Sequence, residues 1–143
     1  MELLKWDDEK MGMGIDLIDG QHKKLVVIIN DLAKAIDTNE DKERLFAIVD
    51  RLLEYTQYHF TTEEEYFDKF DFKESSLHKS EHKYFIEHFK GIKRGLESKA
   101  KARDKAVIKL SAEILEYLVD WFINHITGSD REYMNLFKEK GLT

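Results

Sequence analysis

The stretch HFTTEEEYFDKFDFKESSLHKSEH, residues 59–82, carries two matched pairs, His59 with Glu63 and His78 with His82, each spaced i, i+4. On a helix that spacing stacks two side chains on one face, one turn apart. Two pairs of ligand-type residues so close together are the way helices build a metal site. The fold then has to supply the remaining ligands.

Working outward, the apolar positions recur in threes and fours, the pattern of bundle helices. A first long helix is expected over about 18–37, with the seam Ile18, His22, Leu25, Ile29, Leu32, Ile36. A second, over about 41–70, has the seam Leu45, Val49, Leu52, Thr56, His59, Glu63, Tyr66, Phe70. Asp71 and Glu74 suggest a capping box for a third helix over 74–97, with the seam His78, His82, Phe85, Phe89, Ile92, Leu96. SKAKARD, residues 98–104, reads as a polar connection. A fourth helix over 104–127, with the seam Val107, Ser111, Ile114, Leu118, Trp121, His125, is expected to stop at Gly128. A short last helix over 129–140 has Asp130 in or beside its first turn. Residues 1–16, broken by Gly12 and Gly14, read as an irregular arm anchored by Trp6.

The fold class expected is all-α: an up-down-up-down antiparallel four-helix bundle over residues 17–127, with an N-terminal arm and a short C-terminal helix. A chain of 143 residues fits one domain, and 42% hydrophobic with 36% charged residues excludes disorder. The net charge of −6 and the lack of a basic block exclude a nucleic-acid partner. No apolar run reaches the roughly 18 residues of a membrane span, so no membrane partner is expected. With no cysteine, a metal must be held by nitrogen and oxygen, and a cytoplasmic location is expected.

In that topology His22, His59, Glu63, His78, His82, His125 and Asp130 all fall at one end of the bundle. Buried without partners, such groups would each cost on the order of a few kcal/mol, against a domain stability of roughly 5–15 kcal/mol. A metal centre satisfies them together. Seven ligands exceed the four that zinc takes and suit two ions. Imidazole mixed with carboxylate favours iron over magnesium or calcium. If both carboxylates and a solvent-derived oxygen bridge, five histidines divide three and two, and one iron keeps an open position. His88, off its seam beside Glu87, serves as the surface control.

The set His22, His59-x3-Glu63, His78-x3-His82, His125-x4-Asp130 resembles the hemerythrins, and GIDLIDGQHKKL, YHFTTEEEYF and WFINHI look like the single-domain bacterial members. The resemblance implies one hemerythrin-like domain over residues 1–143 that binds O2 reversibly at a non-heme, oxo- or hydroxo-bridged pair of irons, for storage, delivery or sensing. By the matching positions, His78, His82 and His125 would hold the saturated iron, His22 and His59 the O2-binding iron, and Glu63 and Asp130 would bridge. An O2-requiring enzyme is the client expected. Leu25, Phe60, Phe122 and Ile126 are candidates for an apolar pocket wall. The chain departs from the family in reading Phe70-Asp71-Phe72, without the common Tyr-Pro, and in carrying Phe67 where Met is common.

Two alternatives stand beside a binding protein that is not an enzyme. One is a peroxidase-like di-iron enzyme, although such ferritin-like sites are carboxylate-rich and use Glu-x-x-His, which this chain lacks. The other is an iron or nitric oxide sensor acting through a partner.

Overall fold

The computed structural model describes residues 3–98 and 104–143. Among them lie six α-helices: α1 (Asp8–Met11), α2 (Asp16–Asp37), α3 (Lys42–Lys69), α4 (Ser75–Glu97), α5 (Asp104–Asn124) and α6 (Arg131–Glu139). A π turn, His125–Ser129, joins α5 to α6. The four long helices form the expected bundle: α2 packs on α3 and α5, and α4 closes the ring between α3 and α5. Residues 99–103 of the expected polar connection lie outside the described residues. No helix among the described residues is long and apolar enough to cross a membrane.

Helix ends follow from local chemistry. Asp41 caps α3 by accepting from the Arg44 N–H at 2.9 Å. At the end of α2, Asn39 takes φ 52° and the Glu40 N–H returns to the Ala35 carbonyl at 2.9 Å, which is a Schellman closure. The end of α3 repeats it: Asp71 takes φ 52°, Phe72 N–H bonds the Phe67 carbonyl at 3.0 Å, and the two rings pack at 5.0 Å. Here the expected capping box fails. Asp71 closes α3 in the left-handed conformation, so it does not cap α4, which begins after Glu74 without a side-chain cap. The Schellman closure makes the turn through Phe70-Asp71-Phe72 without a proline.

Gly128 does not stop the fourth helix. The backbone widens there instead, and the Asp130 N–H bonds the His125 carbonyl at 2.9 Å, five residues back. Asp130 keeps helical angles and runs straight into α6. At the end of α3 the expected seam also shifts: Phe67 is buried, while Tyr66 and Phe70 sit half-exposed at the rim.

The apolar interior is in two parts. The larger runs through the bundle and includes Leu25, Ile29, Leu52, Phe60, Phe85, Leu118, Phe122 and Ile126. The smaller joins the arm, α3 and α6 through Met13, Ile15, Ile18, Phe67, Phe72, Tyr133 and Phe137. The candidate ligands lie where one part gives way to the other.

The arm is more ordered than its glycines suggest. It forms α1, capped by the Asp7 carboxylate. Trp6 is only half-buried; Met11, Met13 and Ile15 carry the anchorage. Gly14 takes φ 72°, open to glycine without strain. That turn aims the N–H groups of Met13 and Gly14 at the Asp19 carboxylate, at 2.9 and 3.0 Å. Arg131 holds the arm from the other side, donating to the Lys10 carbonyl at 2.6 Å and the Gly12 carbonyl at 3.2 Å. Asp19→Ala should therefore destabilise the protein by about 2 kcal/mol. The check is a lower urea midpoint with an unchanged slope.

Candidate metal centre

Each element delivers its ligands for a definable reason. His22 lies one turn beyond Ile18 on α2, and His59 and Glu63 share one face of α3. His78 and His82 share one face of α4. His125 and Asp130 pose a harder problem. Five residues along an α-helix turn about 140° around the axis, which would separate them. The π turn brings the fifth residue back over the first, and His125 Nε2 lies 3.0 Å from Asp130 Oδ1. Such turns recur at functional sites.

All seven predicted residues come together, and none is more than 6% exposed. They sort into two overlapping groups, in each of which the nearest ligand atoms lie within 4.8 Å of one another. One holds His78, His82, His125, Glu63 and Asp130; the other holds His22, His59, Glu63 and Asp130. Asp130 divides its oxygens between them: Oδ1 is 3.0 Å from His78 Nε2 and from His125 Nε2, and Oδ2 is 3.1 Å from His22 Nε2. Glu63 Oε1 lies 3.1 Å from His59 Nε2 and 3.4 Å from His82 Nε2. All five imidazoles thus turn Nε2 inward. His88, the control, is exposed, stacks on Tyr84 and meets the Tyr117 ring at a tilt.

Several groups around the site were missed in the sequence. Gln21 is buried, and its Oε1 lies 2.7 Å from His59 Nδ1. Its amide orientation follows from the next link: Nε2 donates to Thr62 Oγ1 at 3.2 Å, and Thr62 donates to the Tyr58 carbonyl at 3.1 Å. Gln21 Oε1 is therefore an acceptor, the His59 proton sits on Nδ1, and Nε2 is a bare lone pair. Glu64 approaches His82 Nδ1 at 3.5 Å, and Glu81 approaches His125 Nδ1 at 3.7 Å, as charge contacts. Tyr133, fully buried, donates its hydroxyl to Glu63 Oε2. The i−1 position of Gln21 relative to His22 was the available sequence signal; Tyr133 had none beyond its apolar spacing.

The residues fit a cation. Burial lowers the His59 pKa against the pull of Glu63, so the ring is neutral. Its bare Nε2 faces an oxygen of Glu63 at 3.1 Å, lone pair to lone pair. Burial and the neighbouring Asp130 raise Glu63, but the facing imidazoles, of which His82 is the protonated one, outweigh them and hold it well below the usual carboxylate range. Burial likewise raises Asp130, and His125 together with His22 and His78 brings it well below. Both carboxylates are thus anions. His22 Nδ1 and Nε2, Glu63 Oε1 and Asp130 Oδ2 have no aligned hydrogen-bond partner. Two atoms each about 2.1 Å from one ion and at right angles to each other are about 3.0 Å apart, the spacing found here.

The fold agrees with known proteins. The Hemerythrin HHE cation binding domain matches residues 13–137. The chain belongs to the hemerythrin family. A bacteriohemerythrin of Clostridium acetobutylicum is 33% identical over 133 residues, spanning 91% of this chain and 98% of that protein. One from Stenotrophomonas maltophilia is 30% identical over 138 residues, spanning 96% of this chain and 84% of that one. The crystal structure of wild-type hemerythrin superposes with a TM-score of 0.74 at 24% identity, covering 94% of this chain and 98% of that one, and shows the shared fold.

Beside the imidazoles, a pocket of about 20 Å³ lies among Leu25, Ile29, Phe60, Leu118, Phe122 and Ile126. That is room for about one water-sized molecule. All four wall candidates named from the sequence line it.

Two outcomes are expected. Gln21→Ala frees the His59 tautomer and should weaken metal uptake at the two-histidine group by roughly 10–100-fold, leaving the three-histidine group loaded; isothermal titration with cobalt(II) reads both steps. The second concerns pH. Burial lowers the His82 pKa, but Glu63 and Glu64 outweigh it and raise it to about 9. A raised histidine pKa stabilises the metal-free protein fully below the unfolded value, about 6.5. That contribution is lost as pH rises through 9. The thermal midpoint of metal-free protein should fall between pH 6.5 and 9, while metal affinity, which needs neutral imidazole, rises over the same window.

Proposed function

We propose that this protein binds O2 reversibly at a non-heme di-iron centre, for storage, delivery or sensing in the cytoplasm, and acts as a binder rather than an enzyme. The observation that carries the reading is the division of seven buried ligands into a three-histidine group and a two-histidine group sharing Glu63 and Asp130. His78, His82 and His125 would hold one iron, His22 and His59 the other, with the two carboxylates across both. With one nitrogen fewer, the second iron would keep the open position, and both of its imidazoles, His22 and His59, line the pocket, against one, His125, of the other three. When bound, the reduced iron pair supplies the electrons that hold O2.

The remaining work falls to the chain itself. Gln21 fixes the His59 ring so that Nε2 points inward. Glu64 and Glu81 place negative charge behind His82 and His125, which raises the basicity of those rings. The apolar wall of Leu25, Phe60, Phe122 and Ile126 keeps water and protons from the bound gas and limits the ligand to a very small molecule. An acid–base group that could drive turnover is absent from that wall, and five imidazoles against two carboxylates suit binding over oxidation chemistry. O2 is the ligand, and an O2-requiring enzyme is the client this design serves.

The expected result is about two irons per chain and, for the reduced protein, a visible absorption that appears with O2 and disappears under vacuum over repeated cycles. Permanent bleaching on a single exposure, or sustained peroxide consumption, would favour an enzyme instead.

A further inference from the structure

Tyr133 is completely buried in the smaller apolar cluster, with Phe67, Phe72, His78 and Phe137 around its ring. A buried tyrosine hydroxyl needs a partner, and here the partner is Glu63 Oε2. The two oxygens of Glu63 are thereby used differently. Oε1 faces both halves of the site, at 3.1 Å from His59 Nε2 and 3.4 Å from His82 Nε2. Oε2 takes the phenol. Asp130 has no such arrangement, because both of its oxygens face imidazoles. Among the described residues, only Glu63 of the two shared carboxylates is therefore contacted by a neutral donor from outside the ligand set.

We propose that Tyr133 is a positioning residue that sets the donor strength of Glu63 toward the iron pair and so favours the reduced, O2-binding state. A hydrogen bond to an ionised carboxylate is among the strong ones. It draws electron density toward the phenol and away from a bound cation. Weakening an anionic donor takes more stabilisation from iron(III) than from iron(II), and outer hydrogen bonds tune a metal in this way. The phenol also fixes the plane of the carboxylate, because its own ring is wedged between Phe67 and Phe137. This inference rests on the di-iron reading above.

The test uses the full chain with two replacements: Tyr133→Phe, and 3-fluorotyrosine at position 133, a stronger donor of nearly the same shape. Iron-loaded protein is titrated without O2 against redox mediators. Removing the hydroxyl should lower the ratio of ferrous to ferric iron at a fixed potential about tenfold, roughly 59 mV for one electron. Fluorotyrosine should move it the opposite way. Cobalt(II)-loaded protein gives a second readout, since its d–d bands report the Glu63 donor directly and should shift in Tyr133→Phe. If the phenylalanine variant does not fold, the fluorotyrosine protein decides alone. Unshifted potentials and bands in folded, metal-loaded variants would reduce Tyr133 to a space-filling residue and overturn the proposal. A chain that takes up neither iron nor cobalt overturns the di-iron reading and this inference with it. Shifted potentials in a protein that fails to bind O2 would leave Tyr133 its role and remove only the O2 reading.

Discussion

The structure depends on a layer of seven polar side chains held at the junction of two apolar clusters. Five imidazoles and two anionic carboxylates, with several lone pairs unpartnered, are a heavy burden for a protein of this size. Unpaired buried charge is among the costliest things a fold can carry. Close approach of Nε2 atoms and carboxylate oxygens, at 3.0–3.4 Å, makes sense as a preformed cation site. The bundle above supplies rigidity, and the smaller cluster below seals the layer from water.

That seal explains features which would otherwise be incidental. The arm is tied down by Asp19 and Arg131, so that Met13 and Ile15 cover the layer from one side. The Schellman closure at Asp71 turns Phe72 inward beneath His78. The π turn carries Asp130 into the layer and, in the same stroke, aims α6 so that Tyr133 and Phe137 complete the floor. One local widening of the backbone therefore sets both a ligand and its enclosure.

Most of the architecture was legible in sequence because it rests on periodicity. Seams of threes and fours located four long helices to within a few residues, and the alternating direction of neighbours brought His22, His59, Glu63, His78, His82, His125 and Asp130 to one end. Errors fell where two local rules compete for one residue. Asp71 satisfied a capping-box pattern, but its small polar side chain also tolerates the left-handed conformation that ends α3. Gly128 looked like a stop signal, but the left-handed closure that a helix-ending glycine commonly makes needs a positive φ, which Gly128 does not take. Near the site, Phe67 replaced Tyr66 on the buried face because the interior widens toward the arm and α6.

By itself the sequence determined most of the inward-facing positions and which types of ligand are available, since both follow from helical spacing and from the absence of cysteine. Tertiary structure alone decided how those ligands are shared and oriented. The three-and-two division of imidazoles, the split of Asp130 between the groups, the Gln21 bond that sets the His59 tautomer and the Tyr133 bond to Glu63 all join residues distant along the chain. Spacing along one helix fixes direction about that helix's axis. Distances between atoms on different helices are set by the packing of their side chains, which no single segment encodes.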